Sequence, residues 1–249
     1  MSGHSKWSSI KHKKGAIDAK RGQLFTKLAR EVTMAARSGG GDPSMNARLR
    51  LAVLKAKEAN MPGDNIDRAI KRGAGTDEAF NLEEITYEGY GPGGTAVLIE
   101  AVTDNRNRTV ADIRNAFSRG GGNLAEAGAV AWQFEMRGVI TVDATSKDPD
   151  EIELAAIDAG AEDTSVEEGA VEVYTQPTAL SDVRTALETA GYTIENAEIA
   201  NQPKTLIDLD EKAALAALKL LERLDDLDDV QRVFSNANFP AELLEAASA

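Results

Sequence analysis

Apolar residues keep to helical spacing along this chain as far as Gly75, where the pattern changes. Before that point apolar positions recur at helical intervals; after it, runs with a period of two alternate with further helical runs. A helical head on a mixed α+β body follows from this switch. In the head, Leu24, Leu28, Val32 and Ala35 share one face of a helix beginning near Gln23 and stopping at Gly39-Gly40-Gly41. Asp42 is expected as the N-cap of a second helix with Pro43 in its first turn, burying Met45, Leu49, Ala52, Val53 and Ala56. Asn60-Met61-Pro62 interrupts it. A third helix is then capped by Asp64, with Asp67 three residues on, and turns Ile66, Ala69 and Ile70 inward until Gly73. Its wheel sends Arg68, Lys71 and Arg72 outward.

The body divides in two. Ile85 and Tyr87, then Ala96 to Val102, read as strands joined by a turn containing Gly89, Gly91, Pro92, Gly93 and Gly94. Thr109, with Asp112 three residues later, opens a helix carrying Val110, Ile113 and Phe117, ended by Gly120-Gly121-Gly122; Val130 to Phe134 is expected as the next strand. Residues 138 to 202 alternate strand, helix, strand, helix, strand, with a turn or short strand near Asp163, as in a ferredoxin-like α+β sandwich. A helix at Glu211 to Leu224 and a strand at Val230 to Phe234 could then complete the earlier sheet. The expected fold class is α+β with three domains: a helical bundle with its basic arm at 1–76, a discontinuous α+β domain at 77–135 plus 205–240, and an inserted ferredoxin-like domain at 136–204. Connections that do not cross favour such an insertion.

Charge follows the same division. The 249 residues hold 28 basic and 41 acidic side chains, a net charge of -13, which argues against a generic polyanion binder. Residues 1–75, however, carry sixteen Lys and Arg against six acids, or +10; the remainder carries 12 against 35, or -23. Such sign asymmetry points to a polyanion partner for the basic end. Residues 1–22 offer little apolar surface and read as a mobile arm, in which Lys6, Lys11, Lys13, Lys14, Lys20 and Arg21 can reach phosphates. Trp7 either stacks on a base or packs on the bundle. Lys27 and the outward Arg68, Lys71 and Arg72 extend the positive surface. Arg106 and Arg108, just ahead of an expected helix start, either meet a phosphate or pair with neighbouring acids.

Chemistry finds little support. There is no cysteine, which excludes disulfides and thiolate sites and fits a reducing compartment. His4 and His12 are the only histidines and both lie in the arm, so neither a metal site nor a Ser/His/Asp arrangement is expected in the body. Gly89 to Gly94 formally fits G-x-G-x-x-G, but Pro92 removes an N–H and a strand follows where a dinucleotide site needs a helix. No run approaches the roughly 20 apolar residues of a membrane span, and the start MSGHSKWSS lacks a secretory apolar run, so a cytoplasmic, non-enzymatic protein without cofactor is expected.

Five segments together carry a resemblance: GHSKWSSIKHKKGAIDAKRG at 3–22, NMPGDNIDRAIKRG at 60–73, YEGYGPGG at 87–94, TDNRNRT at 103–109 and GGGNLAEAGAVAWQF at 120–134. In this order they resemble the YebC/PmpR family, which includes bacterial probable transcriptional regulators and a mitochondrial translational activator. Ala125 stands where that pattern usually has glycine. The resemblance implies three domains, nucleic-acid binding through a positive surface, no catalysis and no cofactor. It leaves two targets open: DNA, for a transcriptional regulator, or ribosomal RNA, for a ribosome-associated translation factor that relieves stalling. No helix-turn-helix base-reading set is legible, and phosphate contacts position without specifying sequence.

Overall fold

The computed structural model describes residues 18–75, 82–167, 169–240 and 243. Its first helix, α1 (Asp18–Gly39), buries Leu28, Val32, Ala35 and Ala36. It begins five residues before the expected Gln23, so Lys20 and Arg21 belong to a helix and not to a mobile arm. Local and distant partners fix these early turns: Thr26 donates to the Gly22 carbonyl at 3.0 Å, and Gln23 donates to the Asp226 carbonyl at 2.6 Å. The rest of the expected arm lies outside the described residues.

Helix α2 (Ala47–Glu58) is capped by Asn46, whose side chain accepts from Leu49 N–H at 3.1 Å. The expected cap, Asp42, instead closes its own turn by accepting from the Ser44 N–H and hydroxyl, both at 2.8 Å. Met45 is consequently 85% exposed and leaves the buried stripe. Asn46 wins the cap because its amide also donates to the Ala35 and Gly40 carbonyls at 2.8 Å, fastening the start of α2 to the end of α1. Helix α3 (Gly63–Ala74) starts after Pro62 with no side-chain cap, and Asp64 lies within its first turn, where the dipole favours an acid. Its Gly73 faces α1 so closely that a Cβ would overlap the Thr33 carbonyl oxygen.

The first sheet opens with an antiparallel hairpin of β1 (Glu83–Tyr90) and β2 (Ala96–Thr103), paired from Glu83–Thr103 to Tyr90–Ala96. Gly89 is therefore in strand, not turn, and its missing Cβ makes room for the Phe117 ring. Pro92–Gly94 is one 3-10 turn leading straight into β2, so no helix N-terminus follows the glycines. Helix α4 (Arg106–Arg119) is capped by Asn105, three residues before the expected Thr109 start, and its Ile113 and Phe117 are buried. Arg106 and Arg108 are thus in the first helical turn, not ahead of it.

A two-residue strand, β3 (Asn123–Leu124), adds to β1. The expected strand at Val130 to Phe134 is absent; Ala131–Gln133 is a 3-10 turn and Phe134 opens a strand of the other sheet. The cause is Glu88, a buried carboxylate accepting from the N–H groups of Gly128 (2.6 Å), Val130 (2.6 Å) and Ala131 (2.8 Å), which winds that loop around itself. Ala125 N–H donates to the Glu88 carbonyl at 2.8 Å without a positive φ, so the position does not require glycine.

The chain then forms β4 (Phe134–Asp143), α5 (Pro149–Asp158), β5 (Asp163–Glu167), β6 (Ala170–Thr175), α6 (Leu180–Thr189) and β7 (Ile194–Pro203). These pair antiparallel in the order β5-β6-β4-β7, the ferredoxin-like arrangement. After β8 (Ile207–Asp208), helix α7 (Glu211–Asp225) and β9 (Val230–Ser235) return to the first sheet, giving β3-β1-β2-β9, and β10 (Ala237–Asn238) pairs with β8. One face of the first sheet, with Val97, Ile99 and Val233, packs beneath α4 and α7. Its other face, with Ala96, Leu98 and Phe234, meets Phe134, Val139, Tyr174 and Ala200 of the inserted sheet. The fold is α+β, with a helical bundle, a discontinuous sheet domain and an inserted ferredoxin-like domain sharing core with it.

Candidate nucleic-acid interface

Many cations of the head face its own acidic body. Lys27 donates to the Asp225 carbonyl, lies 3.6 Å from that carboxylate and has only 11% of its side chain exposed. Lys55 meets Glu198 at 3.1 Å, and Arg48 pairs with Glu84. Two joints dominate, the first centred on a buried carboxylate and the second half-buried. In the first, Asp229 accepts from Arg108 at 2.8 Å, from the Thr109 hydroxyl at 2.8 Å and from Thr103 at 3.2 Å, and lies 3.2 Å from Arg30. Burial alone would raise the Asp229 carboxyl, but hydrogen bonds from Arg108 and Thr109 and the Arg108 and Arg30 charges together hold it below the usual aspartate value. This joint also explains why Thr109 is not the helix cap: its hydroxyl is committed to Asp229.

In the second joint, Arg232 of β9 meets Glu31 of α1 at 2.7 Å and donates to the Ile199 carbonyl of β7. Glu100 lies 4.0 Å away and Glu198 adds a further negative charge. Burial raises Glu31, but the Arg232 and Lys55 charges bring it below the usual glutamate value; Glu100, where burial prevails over Arg232, is held above it. One sequence signal existed for this joint, the single acid Glu100 inside the apolar run of β2. For Asp229 the signal was the acidic run LDDLDD at 224–229.

Between the head and the body a cleft of about 450 Å³ opens, lined by Arg30, Arg68, Arg72 and Asn65 on its polar side and by Phe25, Met61, Ala69 and Leu82 on its apolar side, with Asp104 on the opposing loop. Helix α1 contributes through one face, Phe25, Thr26, Ala29, Arg30 and Thr33, and Arg21 lies over the Phe25 ring, 5.5 Å from its centroid. Arg68 is anchored by donating to the Asp64 carbonyl at 3.1 Å and to Asn65.

The residues expected to bind nucleic acid are therefore distributed unevenly. Arg68 and Arg72 come together in the cleft, Arg21 reaches its edge through Phe25, and exposed Lys71 shares their helix. Lys20 falls in the first turn of α1. Lys27 braces the body. Arg106 lies 3.7 Å from Glu83, and Arg108 bridges Asp104 (2.9 Å) and Asp229, so both meet local acids, and Arg108 borders the cleft through Asp104. Lys6, Trp7, Lys11, Lys13, Lys14 and both histidines lie outside the described residues. Arg30 and Phe25 were not singled out in the sequence, where each looks like an ordinary helix residue. Among the described residues no group of three His, Asp or Glu side chains could hold a metal, and no helix is long and apolar enough to cross a membrane.

A helical head joined to two α+β units, with arginines gathered at one cleft, defines a modular three-domain protein with a cationic cleft beside its head. The profile of the TACO1/YebC N-terminal domain matches residues 5–76, and that of the TACO1/YebC second and third domains matches residues 82–237. The chain belongs to the TACO1/YebC family. It is 57% identical over 245 residues to a probable transcriptional regulatory protein of Dehalococcoides mccartyi strain CBDB1, covering 98% of each chain. Its identity to the protein of that name in Geobacter sulfurreducens is 56% over 247 residues, covering 98% of this chain and 99% of the relative. The crystal structure of a conserved hypothetical protein from Aquifex aeolicus matches with a TM-score of 0.84 and 46% identity, covering 90% of this chain and 93% of that one.

Proposed function

We propose that this chain is a non-enzymatic, cytoplasmic regulator of gene expression that binds DNA through its basic head and acts on transcription. The observation that carries the reading is the cleft where Arg68 and Arg72 gather, beside the Asp229-bound Arg30, at the inner edge of a head that carries +10. Residues 1–76 are the binding unit in this reading. The discontinuous domain at 77–135 plus 205–240, with 136–204 inserted, holds that unit in place and repels polyanions from the rest of the surface. The printed names of the bacterial relatives support regulation of transcription as the role. Lys6, Lys11, Lys13, Lys14, Lys20, Arg21, Arg68, Lys71 and Arg72 contact phosphate, Trp7 offers a stacking face, Arg106 and Arg108 set the edge of the surface, and Lys27 braces the head behind it through Asp225.

If about six phosphates are neutralised, affinity for duplex DNA falls on the order of 1000-fold between about 50 and 200 mM salt. Fluorescence anisotropy across that range is the test. Joint replacement of Lys11, Lys13 and Lys14 by Ala flattens the slope, and a salt-independent affinity refutes the reading.

One observation favours ribosomal RNA as a second target: the cations surround a concave site with an apolar floor, a form suited to irregular RNA and not to a groove-reading ridge. Comigration with ribosomes in a sucrose gradient after DNase treatment supports a ribosome-associated factor that relieves stalling. Absence from those fractions refutes it.

A further inference from the structure

We infer that the cleft between α1, α3 and the β2–α4 loop receives one unpaired nucleotide of the bound strand, its base against Phe25 and Met61 and its phosphates against Arg68 and Arg72. The inference rests on the nucleic-acid reading above and narrows it from a charged surface to a nucleotide-sized site. A surface that only holds phosphates has no use for an apolar floor, since phosphate contacts are made by cations and N–H groups. Here Phe25, Met61, Ala69 and Leu82 line the same space as Arg68 and Arg72, with Arg30, itself paired with Asp229, beside them. At about 450 Å³ the cleft falls within the roughly 300–1,000 Å³ of small-molecule sites. A continuous duplex keeps its base faces stacked and offers only edges and phosphates. An extruded base offers a π-face, which aromatic side chains and guanidinium planes bind with little regard to sequence.

The polar fittings agree with that occupant. The Arg21 guanidinium already lies over the Phe25 ring, 5.5 Å from its centroid, an arrangement that a base can extend. On the facing lip Asp104 is 63% exposed; one carboxylate oxygen accepts from Arg108 at 2.9 Å, and the carboxylate can also accept from an exocyclic amino group.

The test uses duplexes carrying a one-nucleotide bulge, in DNA and RNA forms, where the bulge is either 2-aminopurine or an abasic residue of the same charge. Anisotropy is expected to give about tenfold tighter binding of the base-containing bulge, with quenching of 2-aminopurine as it stacks. Thr26→Trp, which fills the cleft mouth from an exposed position of α1, is expected to reduce the ratio to about one, with folding checked by circular dichroism. Equal affinity for base and abasic bulges overturns this site and leaves the charged-surface reading standing. A ratio that survives Thr26→Trp places the base elsewhere and also overturns it. Failure to bind any of these duplexes at about 50 mM salt overturns both.

Discussion

Asp229→Asn should move stability and nucleic-acid affinity in opposite directions. The wild-type carboxylate is 7% exposed and is shared by two guanidinium groups, Arg108 at 2.8 Å and Arg30 at 3.2 Å, and two hydroxyls. The amide keeps one acceptor oxygen but loses the charge and one acceptor. Removing one partner from a buried pair costs roughly 3–5 kcal/mol. Arg108 is 47% exposed, so water recovers part of its loss, and about 2–3 kcal/mol is the expected destabilisation. For a chain of this length that corresponds to a fall in Tm of about 5–10 °C. The folded carboxyl is held below its unfolded value, so its stabilising contribution is fully present above about pH 4 and is lost as pH falls through the folded pKa. Thermal melts at pH 7 and at stepwise lower pH should therefore show the gap between wild type and variant closing on acidification. In binding, Arg30 and Arg108 lose an acidic partner beside the cleft, so affinity for duplex DNA at low salt rises by a few-fold and the salt slope steepens. An unchanged Tm, a pH-independent gap, or weakened binding by a folded variant would each refute the account of Asp229 as the joint between head and body.

Two further substitutions test the packing that holds the cleft. Glu88→Leu leaves the N–H groups of Gly128, Val130 and Ala131 without their acceptor, and a loss of at least about 3 kcal/mol in urea unfolding is expected, accompanied by a shift in emission from Trp132, whose Nε1 donates to Ala129 within that loop. Gly73→Ala would gain up to about 1 kcal/mol on an open helix, but against the Thr33 carbonyl it should destabilise by about 2 kcal/mol; a variant more stable than wild type in the same assay contradicts the close α1–α3 approach.

Sequence periodicity located α1 to α7 and most strands, because core faces repeat locally: Leu28, Val32 and Ala35 in α1, or Ala214, Ala217, Leu218 and Leu221 in α7. Helix starts were less legible. Asp42 and Thr109 have side chains suited to capping, yet Asn46 and Asn105 cap, because Asn46 is fastened by α1 carbonyls and Thr109 is claimed by Asp229. The strand expected at Val130 failed for a similar reason: an apolar run cannot report that Glu88, some forty residues earlier, takes three of its N–H groups. At the cleft, outward Arg68 and Arg72 followed from the helix wheel. Arg30 and Phe25 did not, since the cleft exists only once the β2–α4 loop faces the bundle.

The same long-range pairing changes what the +10 of the head means for a polyanion. Lys27, Arg30, Arg48 and Lys55 are spent on Asp225, Asp229, Glu84 and Glu198, so α1 and α2 use much of their charge to hold the acidic body. Helix α3 lies outside the Asp229 and Arg232 joints, and its Arg68, Lys71 and Arg72 are exposed, the two arginines at the cleft. The two uses of charge should separate in salt. Lys27 and Asp229 are largely withdrawn from solvent, where screening is weak, while cations on α3 are exposed and fully screened. Raising salt from about 50 to 200 mM should therefore weaken binding steeply while leaving Tm nearly unchanged, which makes the binding slope a count of interface cations and not a measure of the head loosening from its body.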